Sequence, residues 1–128
     1  MTTARVHIAE WRFGDERWVF DVGAPLRLEC DVLDTESVTW LRELWDTETL
    51  QGIQYTVDDG LEDERHVLAG VITSIVALEA RFPTSFGGSP IPHSGTARQV
   101  QQARGWTGDV DPSVGLILGF VIDIELAD

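Results

Sequence analysis

Apolar and polar residues alternate along much of this chain with the two-residue period of a strand buried on one face. The clearest case is Leu26–Val32, where Leu26, Leu28, Cys30 and Val32 point one way and Arg27, Glu29 and Asp31 the other. That pattern predicts a half-buried strand of an antiparallel sheet with a wet, acidic outer face. At the far end Leu116, Leu118, Phe120, Ile122, Ile124 and Leu126 share one face, Asp123 and Glu125 share the other, and Gly115 and Gly119 supply bends. Ile53, Tyr55 and Val57 alternate with Gln54 and Thr56, and Asp58-Asp59-Gly60 closes that strand as a turn. Arg5–Phe13 alternates more loosely and predicts a strand covered on both faces. Residues 14–17 then read as a turn, Trp18–Phe20 as a short extended piece and Val22–Pro25 as a break.

Other segments carry a different period. Val38, Leu41, Leu44 and Trp45 recur at spacings of three and four behind the capping residues Asp34-Thr35-Glu36-Ser37, which predicts a helix of about three turns. A strand through Val38 and Trp40 is the rival reading of residues 36–46. Arg65–Phe82 is apolar on both faces, as in a central strand or a buried helix. Its Val and Ile content and Gly70 favour a long, bent strand. Residues 83–113 hold four of the five prolines and read as one long Gly/Pro-rich loop. Within it, the Thr96-x-x-Gln99 capping box and Gly105 predict a two-turn helix over 97–104. The sum is a single mainly β domain: a small antiparallel barrel or strongly curled sheet of five to six strands, with one or two short helices.

Composition adds charge to this picture. The 128 residues carry nine basic side chains, all Arg, against 22 acids, a net charge of −13. Residues 29–64 alone hold twelve acids and one base, Arg42, so a third of the chain carries nearly all of the excess. Such a surface repels phosphate backbones and anionic membranes, which excludes nucleic acid and membrane as expected partners. No apolar run approaches the roughly 20 residues of a spanning helix, and MTTARVHIAEW lacks the pattern of a signal peptide. The single cysteine, Cys30, allows no internal disulfide and no Cys-based zinc cage, in keeping with a cytoplasmic location.

Candidate chemistry is sparse. The run from Val57 to His66 offers carboxylates and an imidazole to a divalent metal, but it departs from the EF-hand pattern and reads better as a hydrated hairpin turn. His7, His66 and His93 stand in no ligand spacing, so neither metal nor cofactor is expected. Ser89 and Ser94 near His93 lack a nucleophile elbow, and Gly87-Gly88-Ser89 lacks the lysine of a phosphate loop. No catalytic residue is assigned. Cys30 falls on an apolar face and reads as a small buried hydrophobe. Trp106, beside Arg104 on a Gly-flanked stretch, pairs the two residue types that interface hot spots favour.

Glu10-Trp11-Arg12-Phe13, Trp18–Gly23 and the alternation of Leu26–Val32 resemble the start of a family of small actinobacterial β proteins, a domain of unknown function. Gly70-Val71-Ile72-x-x-Ile75 is similar to a later strand of that family. Gly14 and Asp15 stand where the family carries paired cysteines. The resemblance covers about a third of the chain and implies no activity.

The expectation is therefore a non-enzymatic acidic module that recognises a basic protein surface, as an adaptor, inhibitor or immunity-type protein does. Its expected contacts are Glu29, Asp31, Asp58, Asp59, Glu62 and Asp63, together with Arg104 and Trp106. The alternative is a small-ligand barrel or minor enzyme in which His93, Arg98 and Arg104 converge on a pocket under residues 83–113. A third reading sets the basic-leaning loop against the protein's own acidic face, or against that of a second copy as a homodimer.

Overall fold

The computed structural model describes residues 2–33, 35–57, 66–82, 90–105 and 115–127. Five strands close into a barrel: β1 (Thr3–Ala9), β3 (Pro25–Val32), β4 (Tyr55–Val57), β5 (His66–Ala80) and β8 (Leu116–Leu126), in the order β3-β4-β1-β8-β5 and back to β3. A further strand, β6 (Thr96–Val100), extends the sheet beyond β5, while β2 (Val19–Asp21) and β7 (Gln102–Arg104) form a two-stranded ribbon. Among the described residues all pairings are antiparallel except β1 with β4, which run parallel; α2 (Thr35–Arg42) and α3 (Thr47–Leu50) lie on the connection from β3 into β4.

β5 organises the barrel. Its fifteen residues span roughly 50 Å at strand rise, long enough to give one edge to two partners in succession. Cys30–Pro25 of β3 pair with His66–Val71, and β6 then pairs with Ile75–Glu79. At the switch point the Gly23 N–H donates to the Ile72 carbonyl at 2.7 Å, and the Ile72 N–H donates to the Ala24 carbonyl at 3.0 Å. The other edge pairs with β8 from Gly70 to Ala80, broken by register shifts between Ile72 and Ser74 and between Leu78 and Glu79. Such bulges bend a strand and raise its twist, which is how a long strand closes a small barrel. Gly70 serves the same closure, since a Cβ there would run into the Glu125 carbonyl oxygen of β8.

The apolar residues sort into two layers. Val6, Ile8, Leu28, Cys30, Leu68, Ile72, Ile75, Phe120, Ile122 and Ile124 fill the interior. Outside the wall, Leu41, Leu44 and Trp45 from the α2 region pack on Leu78, Ala80 and Val121, with Leu118 and Val76 against them. The helix cover explains why β5 is apolar on both faces over its second half, at Val76, Leu78 and Ala80. It also settles residues 36–46 in favour of helix, although α2 is eight residues long and not three turns. Trp45 pins this cover: its indole N–H is shared between the carbonyls of Thr96 (3.0 Å) and Glu79 (3.2 Å).

Several expectations from the sequence are corrected. The first strand stops at Ala9; residues 10–16 form the helix α1 (Glu10–Glu16), so residues 14–17 are its last turn and left-handed cap, with Arg17 at φ 57°. The helix swings Phe13 across the barrel end, where it meets Phe20 and Phe120 edge-on at 5.0 Å each and Trp18 at 5.9 Å. The helix over 97–104 does not form. Those residues build β6 and β7, because the free edges of β5 and β2 offer long-range backbone partners and let Val100 and Ala103 reach the interior cluster. Residues 83–113 are accordingly not one long loop. There are three short helices among the described residues, not one or two. Leu118 faces the outer layer and not the side of Phe120, since the bulge opposite Leu78 and Glu79 inverts the alternation there.

Candidate functional site

Glu29 sits on the outer face of β3, exposed, with Val67 opposite it on β5. Arg27 is opposite Ala69, Pro25 is opposite Val71, and Glu125 of β8 flanks Val71 on the other side. Val67 and Val71 remain 46% and 43% exposed, so this part of the wall is a partly apolar sheet face edged by acids. Asp31 follows Glu29 on the outward side but is half-buried. Its Oδ1 is fully buried and has no hydrogen-bond partner among the described residues. Asp58, Asp59, Glu62, Asp63 and Trp106 lie outside the described residues. Arg104 is exposed on β7 opposite Val19, on the ribbon and not beside Glu29.

The rest of the described acidic third lies on α2, α3 and the turn between them. Glu43, Asp46 and Glu48 are exposed. Asp46 caps α3, its Oδ1 accepting from the Thr49 N–H at 2.7 Å. The hydrogen bonds from Thr49 hold its carboxyl below the usual aspartate range. Between α2, α3 and the approach to β4 opens a cavity of about 300 Å³ whose deeper lining is Leu33, Leu41, Leu50 and Ile53, with Arg42, Thr47 and Gln51 at its exposed edge. Apolar residues spaced through an otherwise acidic stretch were the available signal for this cavity, but their convergence depends on how two helices pack.

A lateral row on the outer wall places Asp31 beside Thr56 and Thr56 beside His7. The His7 Nδ1 lies 3.4 Å from the Thr56 Oγ1, and both residues are buried. Burial pushes the His7 pKa down to about 4, so the imidazole is neutral at pH 7. On the inner face, burial and then the Asp31 charge push the Cys30 thiol up to about 11, which leaves it a poor nucleophile.

His93, Arg98 and Arg104 are not brought together. His93 is exposed at φ 60°, held by its N–H donating to the Glu43 carbonyl at 2.9 Å. Arg98 pairs with Glu79 at 2.6 Å on β6, and Arg104 belongs to the other sheet. A cavity of about 290 Å³ lies nearby, lined by Glu79, Arg81, Ser94 and Thr96 and by none of the three. At the α1 end the Arg12 guanidinium is stacked between Trp11 (5.6 Å) and Trp18 (5.4 Å), a packing that local sequence spacing did not reveal.

Among the described residues, no three His, Cys, Asp or Glu are placed to hold a metal ion, and no helix is long and apolar enough to cross a membrane. No family model, curated protein or solved structure matches this chain.

Proposed function

We propose that this chain is a non-enzymatic protein-binding module that uses its acidic third against a basic protein surface. The observation that carries the reading is the outward presentation of that charge: Glu29 on the barrel wall and Glu43, Asp46 and Glu48 on the helical cover are all exposed. A field of one sign raises the rate of encounter with an oppositely charged partner and disfavours others. Asp31, the 58–64 stretch with Asp58, Asp59, Glu62 and Asp63, and Arg104 with Trp106 complete the proposed contacts. A cytoplasmic location belongs to the same proposal.

The test is a tagged pull-down from source lysate eluted by a salt gradient, followed by association kinetics on the protein recovered. One basic protein released in a sharp salt step is expected. Reversing the charges at Asp58, Asp59, Glu62 and Asp63 then slows association, most at low salt, where screening over a Debye length of about 8 Å or less is relaxed. Recovery of nothing above the mock control, or unchanged kinetics in the variant, overturns the reading.

A further inference from the structure

We infer that the cavity at the end of β5 binds a small free α-amino acid, with its carboxylate on Arg81 and its ammonium on Glu79. The site is separate from the acidic third and does not depend on the acidic-module reading. The cavity, about 290 Å³, is lined by Glu79, Ala80, Arg81, Ser94, Thr96 and Gly115, so its own wall carries one charge of each sign. Glu79 and Arg81 are separated by Ala80 alone, and Ala80 is buried under the helical cover. Strand alternation sends the two charged side chains to the opposite face, about 7 Å apart at the backbone.

The two charges are near enough to pair with each other and do not. Arg98 donates to one Glu79 oxygen only, Oε1, from Nε at 3.1 Å and from Nη2 at 2.6 Å. The other oxygen, Oε2, is turned toward Gly115, where a Cβ would lie 3.7 Å from it. Among the described residues neither Oε2 nor the Arg81 guanidinium has a partner. Their backbone is fixed in advance: the Trp45 indole N–H donates to the Glu79 and Thr96 carbonyls, and the Arg81 N–H donates to the Ser94 hydroxyl at 3.0 Å. Charge selects the guest. A simple cation meets Arg81 and a simple anion meets Glu79, whereas a zwitterion gives each of them a charge-assisted hydrogen bond. The remaining lining residues are small, and the volume falls below that of drug-sized ligand sites, so the guest has a short side chain.

The test titrates glycine, alanine and serine into the full chain at constant ionic strength and follows amide NMR shifts, with acetate and methylammonium as probes of each charge alone. At least one amino acid is expected to give saturable shifts centred on Ala80, Arg81, Thr96 and Gly115. Acetate and methylammonium are expected to bind about tenfold or more weakly, since each forgoes one charge-assisted contact. Arg81→Gln and Glu79→Gln each weaken the amino acid by a similar factor. Arg98→Gln breaks the same ion pair as Glu79→Gln but leaves both charges of the cavity in place, so it keeps the binding. No saturable shift with any of the three amino acids overturns the inference, as does acetate or methylammonium binding equally well. A loss in Arg98→Gln as large as in Glu79→Gln assigns the effect to the broken ion pair and overturns the role of the Glu79 oxygen. None of these outcomes bears on the acidic-module reading, which the salt-gradient pull-down tests by itself.

Discussion

The His7 imidazole and the Thr56 hydroxyl face each other on the outer wall of the barrel, with Nδ1 and Oγ1 3.4 Å apart and neither side chain reaching solvent freely. Across the parallel pairing of β1 and β4 the two residues are in register, and Asp31 stands next to Thr56 on the far side. A buried imidazole with one long hydrogen bond has little to stabilise a positive charge, which is why its pKa falls to about 4.

Stability should therefore depend on pH in a defined window. The folded protein keeps His7 neutral down to about pH 4, whereas the unfolded chain protonates it near 6.5. Between those values the unfolded state binds more protons, so stability rises with pH and is lost as pH falls from about 6.5 to about 4, by roughly 3 kcal/mol in all. Urea unfolding of the wild type and of His7→Gln across this range checks it. The variant is expected to show a much flatter dependence, and an unchanged slope would assign the effect to other groups.

Phe13 should be among the costliest side chains to remove. It is 1% exposed and is held edge-on by Trp18, Phe20 and Phe120 at the barrel end. Phe13→Ala is expected to cost about 3–5 kcal/mol in chemical denaturation, from lost transfer energy plus the cavity left behind. A loss below about 1 kcal/mol would mean that α1 collapses readily into the gap.

Cys30 should be silent until the barrel opens. Its side chain faces the interior and its thiol is shifted to about 11 from an ordinary 9.0. At pH 8 a thiol reagent is expected to leave the folded protein unmodified and to label it fully in urea. Rapid labelling without denaturant would show that β3 leaves the wall far more readily than its pairing with β5 implies.

Much of the barrel was legible in local pattern. The alternation of Leu26–Val32, of Ile53–Val57 and of Leu116–Leu126 marked β3, β4 and β8, since a strand with one face buried writes its period directly into the residues. The doubly apolar run Arg65–Phe82 marked a central strand for a reason the sequence could not state, namely that helices cover its outer face at Val76, Leu78 and Ala80. The outward direction of Glu29 followed from the same alternation. The cavity beside α3 did not, because Leu33, Leu41, Leu50 and Ile53 meet only after two helices and a turn have packed.

What the amino-acid sequence determined alone was a mainly β fold, its longest strands and the concentration of acid in one third of its length. Each of these depends on neighbours within a few residues. The tertiary structure decided the rest. Residues 96–104 became β6 and β7 because open strand edges satisfied their backbone groups, and those edges are supplied by residues far away in sequence. Phe13 left the first strand for a helix because the barrel end needed a plug, and Leu118 changed faces because a bulge shifted its register. Backbone pairing and core filling act over long range, so they override local preference wherever that preference is weak.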